Sequence, residues 1–315
     1  TTGASPGQGD RATEVAVGEL AFDLLESTRD ASVVPLGSAF PAPHLFPLAA
    51  LARSGARAMR RLAPAEVTSA LLAGDEGLRH WLRRRHALHG IALDDDEIVV
   101  THGAMEALNL CLQAVTCPGD LVAVESPTFY AALQALERLH LRAVEVATDP
   151  RDGVDLDALA ALLERHRIAA CWFMPSFQNP LGSLMPDEAK QELVALLARH
   201  QVPLIEDDVY GELYFGARRP RPAKAWDKGG WVMHCSSFSK TLAPGWRVGW
   251  AAAGRFAREV GRRKLMSSLA APLPSQEGLS EYLRHGGCDR HLRRLRQALA
   301  QQRQALLLDV AKHFP

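Results

Sequence analysis

Ser236–Trp250 reads SSFSKTLAPGWRVGW and follows WVMHC, a run with the look of a buried strand. Lys240 stands just after two serines, Ser237 and Ser239, and Arg247 lies seven residues further on. A lysine is almost never fully buried without a partner. The stretch is therefore either an ordinary basic surface turn or a loop that holds something needing both an amine and an anion site.

The chain has 315 residues, enough for one large domain or two ordinary ones, and 47% of them are hydrophobic, enough for a sizeable core. Basic and acidic residues balance at 36 each, so the electrostatic footprint of a nucleic-acid-binding domain is missing. Arg83–Arg85, a short basic run in WLRRRHALHG, reads as a solvated helix face. The five cysteines are odd in number and lack CxxC spacing, and most sit in apolar runs. They read as buried thiols in a reducing compartment, with nothing that suggests a zinc or other metal site. No apolar run reaches the roughly 18 residues of a membrane span, and the first residues do not resemble a signal peptide. The expectation is a cytoplasmic protein without a membrane partner.

Residues 1–34 read as a linker and N-terminal segment, small and polar at first. Residues 35–90 combine an extended arm, with prolines at 35, 41, 43 and 47, and a helical stretch from about 48 to 90. Strand and helix patterns then alternate through residues 91–285. The predicted strands are 97–101, 120–125, 142–148, 168–174, 202–208, 231–237 and 247–253. Such alternation implies crossover units and a mostly parallel sheet covered on both faces. In sheets of this kind the ligand lies beyond the carboxyl ends of the strands. Residues 286–315 read as one long helix.

Five features fall at those strand ends. THGAMEAL opens a helix at Gly103; SPTFY places Phe129 and Tyr130; PSFQNPLG puts Asn179 in a turn; IEDDVY supplies Asp207 and Tyr210; and the opening loop supplies Lys240 and Arg247. Each alone is a common turn, cap or solvated edge. Together, in this order, they resemble the fold-type I pyridoxal-phosphate enzymes, the aspartate-aminotransferase superfamily, over roughly residues 35–315.

That resemblance implies an α/β fold: a three-layer large domain with a mostly parallel seven-stranded sheet. Residues 286–315 would lead into a small domain lying mostly beyond Pro315, together with the arginine that binds the substrate carboxylate. It makes Lys240 the lysine that forms a Schiff base with the cofactor aldehyde, which requires a free amine and hence a lowered pKa. Ser237, Ser239, Arg247 and the backbone N–H groups of Gly103, Ala104 and Met105 would hold the phosphate, a helix N-terminus and a planar guanidinium both suiting an anion. Asp207 would keep the ring nitrogen protonated, leaving Glu206 and Asp208 to point elsewhere on the strand or to cap the next segment. Asn179 and Tyr210 would bond the ring hydroxyl, and Phe129, or else Tyr130, would stack on the ring. A tyrosine that in the family reaches the partner subunit's phosphate has no counterpart; Ser69 stands near that place.

The wording of VVPLGSAFPAPHLFPL, VESPTFYAALQALERL, FMPSFQNPLGSLMPDEAK, PLIEDDVYGELYFG and SSFSKTLAPGWRVGW is most similar to the effector domain of MocR-type regulators in the GntR superfamily. The resemblance implies a ligand-sensing domain joined by a linker to an N-terminal winged helix, which alone would contact DNA. It also implies a homodimer and an amino-acid or amine ligand. A stand-alone aminotransferase of the 2-aminoadipate or aromatic type is the alternative; a lyase on the same scaffold is a third.

Overall fold

Nine strands form one sheet among the described residues of the computed structural model, which are 13–14, 32, 39–69 and 74–314, with no side chains described at 13–14 and 68–69. In chain order they are β1 (Thr13–Glu14), β2 (Ile98–Thr101), β3 (Leu121–Ser126), β4 (Arg142–Asp149), β5 (Gly153–Val154), β6 (Ile168–Phe173), β7 (Leu204–Asp207), β8 (Val232–Ser237) and β9 (Gly249–Ala252). The seven-strand expectation is corrected to nine. All the predicted strands form, and the two added ones, β1 and β5, are dipeptides too short to leave a periodic signal. Residues 1–12, 15–31 and 33–38 lie outside the described residues, and the linker expected there with them.

The sheet runs β1-β4-β3-β6-β7-β8-β9-β2, with β5 pairing to β4. Strands β4, β3, β6, β7 and β8 are mutually parallel, while β9 is antiparallel to both of its neighbours. Adjacent residues on these strands serve opposite faces, as a pleated strand requires. Val122, Val124 and Trp172 join one core, packed under α3 (Ala104–Val115), α4 (Tyr130–Arg138) and α7 (Ala257–Ser268). Ala123, Cys171 and Phe173 join the other, packed under α5 (Leu156–Arg165) and α6 (Asp187–His200). This is the expected three-layer arrangement, and it explains why the central strands read as unbroken apolar runs. Full burial of each large side chain contributes roughly 1.5–3 kcal/mol.

A third cluster gathers α1 (Leu48–Arg61), α2 (Glu76–Ala87) and α8 (Leu273–Arg284) around Leu51, Leu78, Leu279 and Trp250. The final helix, α9 (Gly287–His313), buries Cys288, Leu292 and Leu295 and then leaves the body, with Leu306, Leu307, Leu308 and Val310 exposed. Among the cysteines, the expectation of buried thiols holds for four and fails at Cys117, which is exposed on the turn after α3. The Arg83–Arg85 run is also more than a solvated face. Arg83 pairs with Asp95, and Arg85 is gripped by Glu212 and Asp289, leaving Arg84 as the exposed member.

For the site, the decisive feature is one rung of the sheet. Ser237 pairs with Gly249, and Gly249 pairs with Thr101. The ends of β8 and β2 and the start of β9 therefore share one edge, where Asp207 also ends β7.

Candidate functional site

From the Ser237–Gly249 rung, residues 238–248 form a closed loop over the sheet edge. Trp246 anchors it: a Cβ placed on Gly278 would lie 2.6 Å from the indole, and one on Gly55 3.4 Å away, so two glycines make the slot that holds the ring. Arg247 takes a left-handed backbone (φ 53°), unusual for a side-chain-bearing residue and costing about 1–3 kcal/mol. What that conformation achieves is direction. The guanidinium donates from Nη1 to Ser239 Oγ (3.1 Å) and from Nη2 to the His102 carbonyl (3.2 Å). It thereby spans the gap to the start of α3.

Gly103 is the N-cap of α3, with φ +84° and no side-chain cap, so the first N–H groups of this helix are not met by a capping side chain. A Cβ at Gly103 would collide with the Arg247 guanidinium, and a Cβ at Gly249 would lie 2.5 Å from the Gly103 carbonyl carbon. Both glycines exist for close approach. Gly249→Ala is expected to destabilise the protein by about 1–3 kcal/mol, the usual cost of overpacking, and to push Arg247 away from the helix start. Urea unfolding measures the first effect; weaker phosphate binding at the cup reports the second.

One cavity of about 410 Å3 brings together Ala104, Met105, Phe129, Asn179, Asp207, Tyr210, Ser237, Ser239, Lys240 and Arg247. Gly103 borders it through its contact with Arg247. Every side chain predicted from the strand ends is thus in one place. Tyr130 lines the same cavity and packs edge-on against Phe129 at 4.9 Å between ring centres, so the alternative stackers are neighbours. The side chain of Ser69 lies outside the described residues.

Electrostatics separates the roles available. Burial lowers Lys240 to about 8, Asp207 pulling it up and Arg247 pushing it further down. Asp207 is 2% exposed, and burial, then the adjacent Asp208 charge, raise it to about 7. Its Oδ1 has no hydrogen-bond partner among the described residues. A buried, unpartnered carboxylate oxygen is costly, and this one belongs to a residue that lines the same cavity as Lys240. Tyr210 is hydrogen-bonded to Asn179, and burial raises its hydroxyl to about 12, so it remains a neutral donor. The neighbouring acids turn away as expected: Glu206 accepts from the Ala223 and Lys224 N–H groups, and Asp208 pairs with Arg219 and His234.

These residues fit pyridoxal phosphate on the structure's own terms. An anion cup is built from Arg247, two serines and an uncapped helix start. An orphaned carboxylate oxygen awaits a cationic donor, and a depressed lysine lies between them.

Sequence reasoning missed a contact made in this cavity and a buried acid outside its lining. Lys240 Nζ donates to the Ala39 carbonyl at 2.9 Å and lies 3.5 Å from the Phe40 ring centre. The prolines of AFPAP marked that arm as ordered, and no local pattern marked its destination. Glu125 is likewise buried, accepts from the Met174 N–H at 3.0 Å and is raised to about 8 by burial.

Known proteins match along most of the chain. An uncharacterized HTH-type transcriptional regulator of Escherichia coli, YdcR, is 52% identical across 93% of this chain, which spans 63% of that regulator's length. Aromatic-amino-acid aminotransferase 1 of Thermococcus litoralis is 30% identical across 93% of this chain and 72% of its own. The crystal structure of LysN, the alpha-aminoadipate aminotransferase of Thermus thermophilus complexed with N-(5'-phosphopyridoxyl)-L-leucine, superposes with a TM-score of 0.80 at 31% identity, covering 88% of this chain and 71% of that one. The family described as aminotransferase class I and II matches residues 67–313, and the chain belongs to it.

Proposed function

We propose that this chain is the pyridoxal-phosphate-binding, ligand-sensing domain of a MocR-type transcriptional regulator of the GntR superfamily. The observation that carries the regulatory reading is the 52% identity to an HTH-type regulator, against 30% to an aminotransferase matched over the same share of the chain. On this reading residues 1–34 are linker, 35–90 the arm and first helices, 91–285 the cofactor domain, and 286–315 the approach to a small domain. The protein is cytoplasmic and homodimeric, and meets DNA through a winged-helix domain outside this chain.

Bound pyridoxal phosphate supplies an aldehyde that accepts amines and a ring that withdraws electrons. The protein's part is to hold and orient. Arg247, Ser237, Ser239 and the N–H groups of Gly103, Ala104 and Met105 bind the phosphate. Asp207 holds the proton on the ring nitrogen; Asn179 and Tyr210 fix the ring hydroxyl; Phe129 covers one face and excludes water. Lys240 provides the amine, kept partly neutral near physiological pH by burial and by Arg247. An amino acid or amine competing with Lys240 is the ligand class this site selects. Its differential affinity for two states of the domain is what reaches DNA.

The full-length protein supplied with pyridoxal phosphate is expected to show a near-visible absorbance band and a borohydride-trappable adduct on Lys240. Its operator affinity should change when an amine ligand is added. Absence of band and adduct removes the cofactor reading. Steady turnover of an amino donor and an oxo acid, with unchanged operator affinity, selects the second reading, a stand-alone aminotransferase. The 30% identity to an aromatic aminotransferase favours that alternative, in which Lys240 also moves the substrate Cα proton.

A further inference from the structure

Asp207 and Asp208 are consecutive, both buried, and serve opposite faces of the sheet edge. Only Asp207 opens on the cofactor cavity. Behind it the structure holds a polar network that the proposed chemistry does not use. The Arg219 guanidinium, 9% exposed, pairs with Asp208 Oδ2, and His234 Nε2 lies 3.0 Å from the same oxygen. Arg219 Nε is 3.5 Å from Glu212, which Arg85 grips with two hydrogen bonds of 2.9 and 3.0 Å. Room for the pair is made by Gly211, where a Cβ would lie 2.7 Å from both the Arg219 guanidinium and Asp208 Oδ2.

We propose that Arg219 is a positioning residue for Asp207: by fixing Asp208 as an ion-paired anion facing away from the cavity, it leaves Asp207 as the carboxylate free to meet the ring nitrogen. The role assigned to Asp207 rests on the cofactor reading above. The electrostatic claim about the two aspartates does not.

Two adjacent buried carboxylates cannot both ionise cheaply near neutral pH, since like charges disfavour each other's charged form. Arg219 neutralises one of them. Burial pushes Asp208 up, and the Arg219 charge together with the hydrogen bond to His234 outweighs it, so Asp208 sits below the ordinary carboxylate range. Titratable and charged groups face this pair from every packed element. Glu206 shares β7; His234 is on β8; Arg85 and His86 come from α2; Lys190 comes from α6; Glu212 and Arg219 come after β7, with Arg296 of α9 beyond Glu212; and Lys240 faces Asp207 across the cavity. Glu206 is satisfied by backbone N–H groups and lies next to Asp207 on the other side. Arg219 is the guanidinium in direct contact with Asp208.

The test monitors the two aspartates by carbon-13 carboxyl NMR in cofactor-free protein, assigning Asp207 by its loss in Asp207→Asn. In Arg219→Met the Asp207–Asp208 pair, titrating as one coupled unit, is expected to give up its last proton about one pH unit higher or more. Arg219→Lys should recover most of that shift. Asp208→Asn should move Asp207 the opposite way, to lower pH, and needs no folded Arg219→Met protein. In parallel, pyridoxal phosphate affinity in Arg219→Met should fall about tenfold at pH 7 and recover by pH 9, one pH unit corresponding to a factor of ten. A purely structural role would weaken binding equally at both pH values. Unmoved carboxyl titrations in both Arg219→Met and Asp208→Asn, or shifts of the same sign, would overturn the proposal. If the wild type takes up no pyridoxal phosphate, the cofactor reading falls, and the carboxyl titrations still decide this one.

Discussion

Lys240→Ala is expected to abolish the near-visible band and the borohydride-trapped adduct completely, because no other amine lines the cavity among the described residues. The variant should retain the fold. Its loss removes a half-buried side chain at a loop, with one hydrogen bond to Ala39 and one ring contact to Phe40. It should also move Asp207 upward from about 7, since the Lys240 charge is one of the influences holding it down. The wild-type kinetics carry a matching pH signature. Attachment requires the neutral amine, and Lys240 titrates at about 8. The attachment rate should therefore rise about tenfold per pH unit below 8 and level off above it, read by stopped-flow absorbance at fixed cofactor concentration. A lysine in free solution would keep rising to above about pH 10. A rate that continues to climb past about pH 9 contradicts the lowered value.

Asp207→Asn should separate stability from cofactor binding in opposite directions. The folded carboxyl titrates at about 7, raised by burial from its ordinary value of 3.8, so the folded state binds the proton more tightly than the unfolded chain. Linkage gives the sign: the stability present below about pH 4 is lost as pH rises from about 4 to about 7, and above that the loss stays constant. Converted at about 1.4 kcal/mol per pH unit, the cost of ionising this one group reaches about 4 kcal/mol. Cofactor-free Asp207→Asn should consequently unfold at higher urea concentration than wild type at pH 8, with the gain shrinking towards pH 5. On the role proposed for Asp207, the same substitution would remove a charge-assisted hydrogen bond to the ring nitrogen, worth about 1.5–3 kcal/mol. Pyridoxal phosphate affinity should drop roughly tenfold to a hundredfold, measured by fluorescence titration. A variant that loses stability at pH 8 would show that Asp207 is held by something other than an unmet ionisation cost.

The contrast between these residues and the ones that escaped notice has a physical basis. Lys240, Asp207 and Asn179 were legible because a parallel sheet puts its chemistry at strand ends, and strand ends are marked by local alternation and turn residues. The same logic made the apolar strands legible, since a strand buried on both faces needs no periodicity beyond being apolar. The arm's destination was not legible. The contact between Lys240 and Ala39 joins residues 201 positions apart, and no local pattern encodes which carbonyl meets which amine. Nor was the partnership of Asp208 with Arg219 and His234, because Arg219 sits in a run, GARRPRP, whose composition marks it as a surface turn. The dipeptide strands β1 and β5 and the exposure of Cys117 depend on tertiary context in the same way. The reversal that lays β9 antiparallel against β8 and then brings β2 alongside is also a long-range choice, and it assembles the site from both ends of the domain.

That reversal carries a consequence for how this protein can vary. Because Ser237 and Gly249 occupy one rung, the loop between them has fixed ends, and Trp246 pins it partway. Most surface loops accept added residues at small entropic cost. Here a single inserted residue between Lys240 and Trp246 must be absorbed between a pinned ring and a pinned strand, so it displaces the amine relative to the guanidinium. The spacing from Lys240 to Arg247 thus behaves like a ruler. Insertions and deletions should be excluded from this segment among functioning relatives, even where substitutions are frequent.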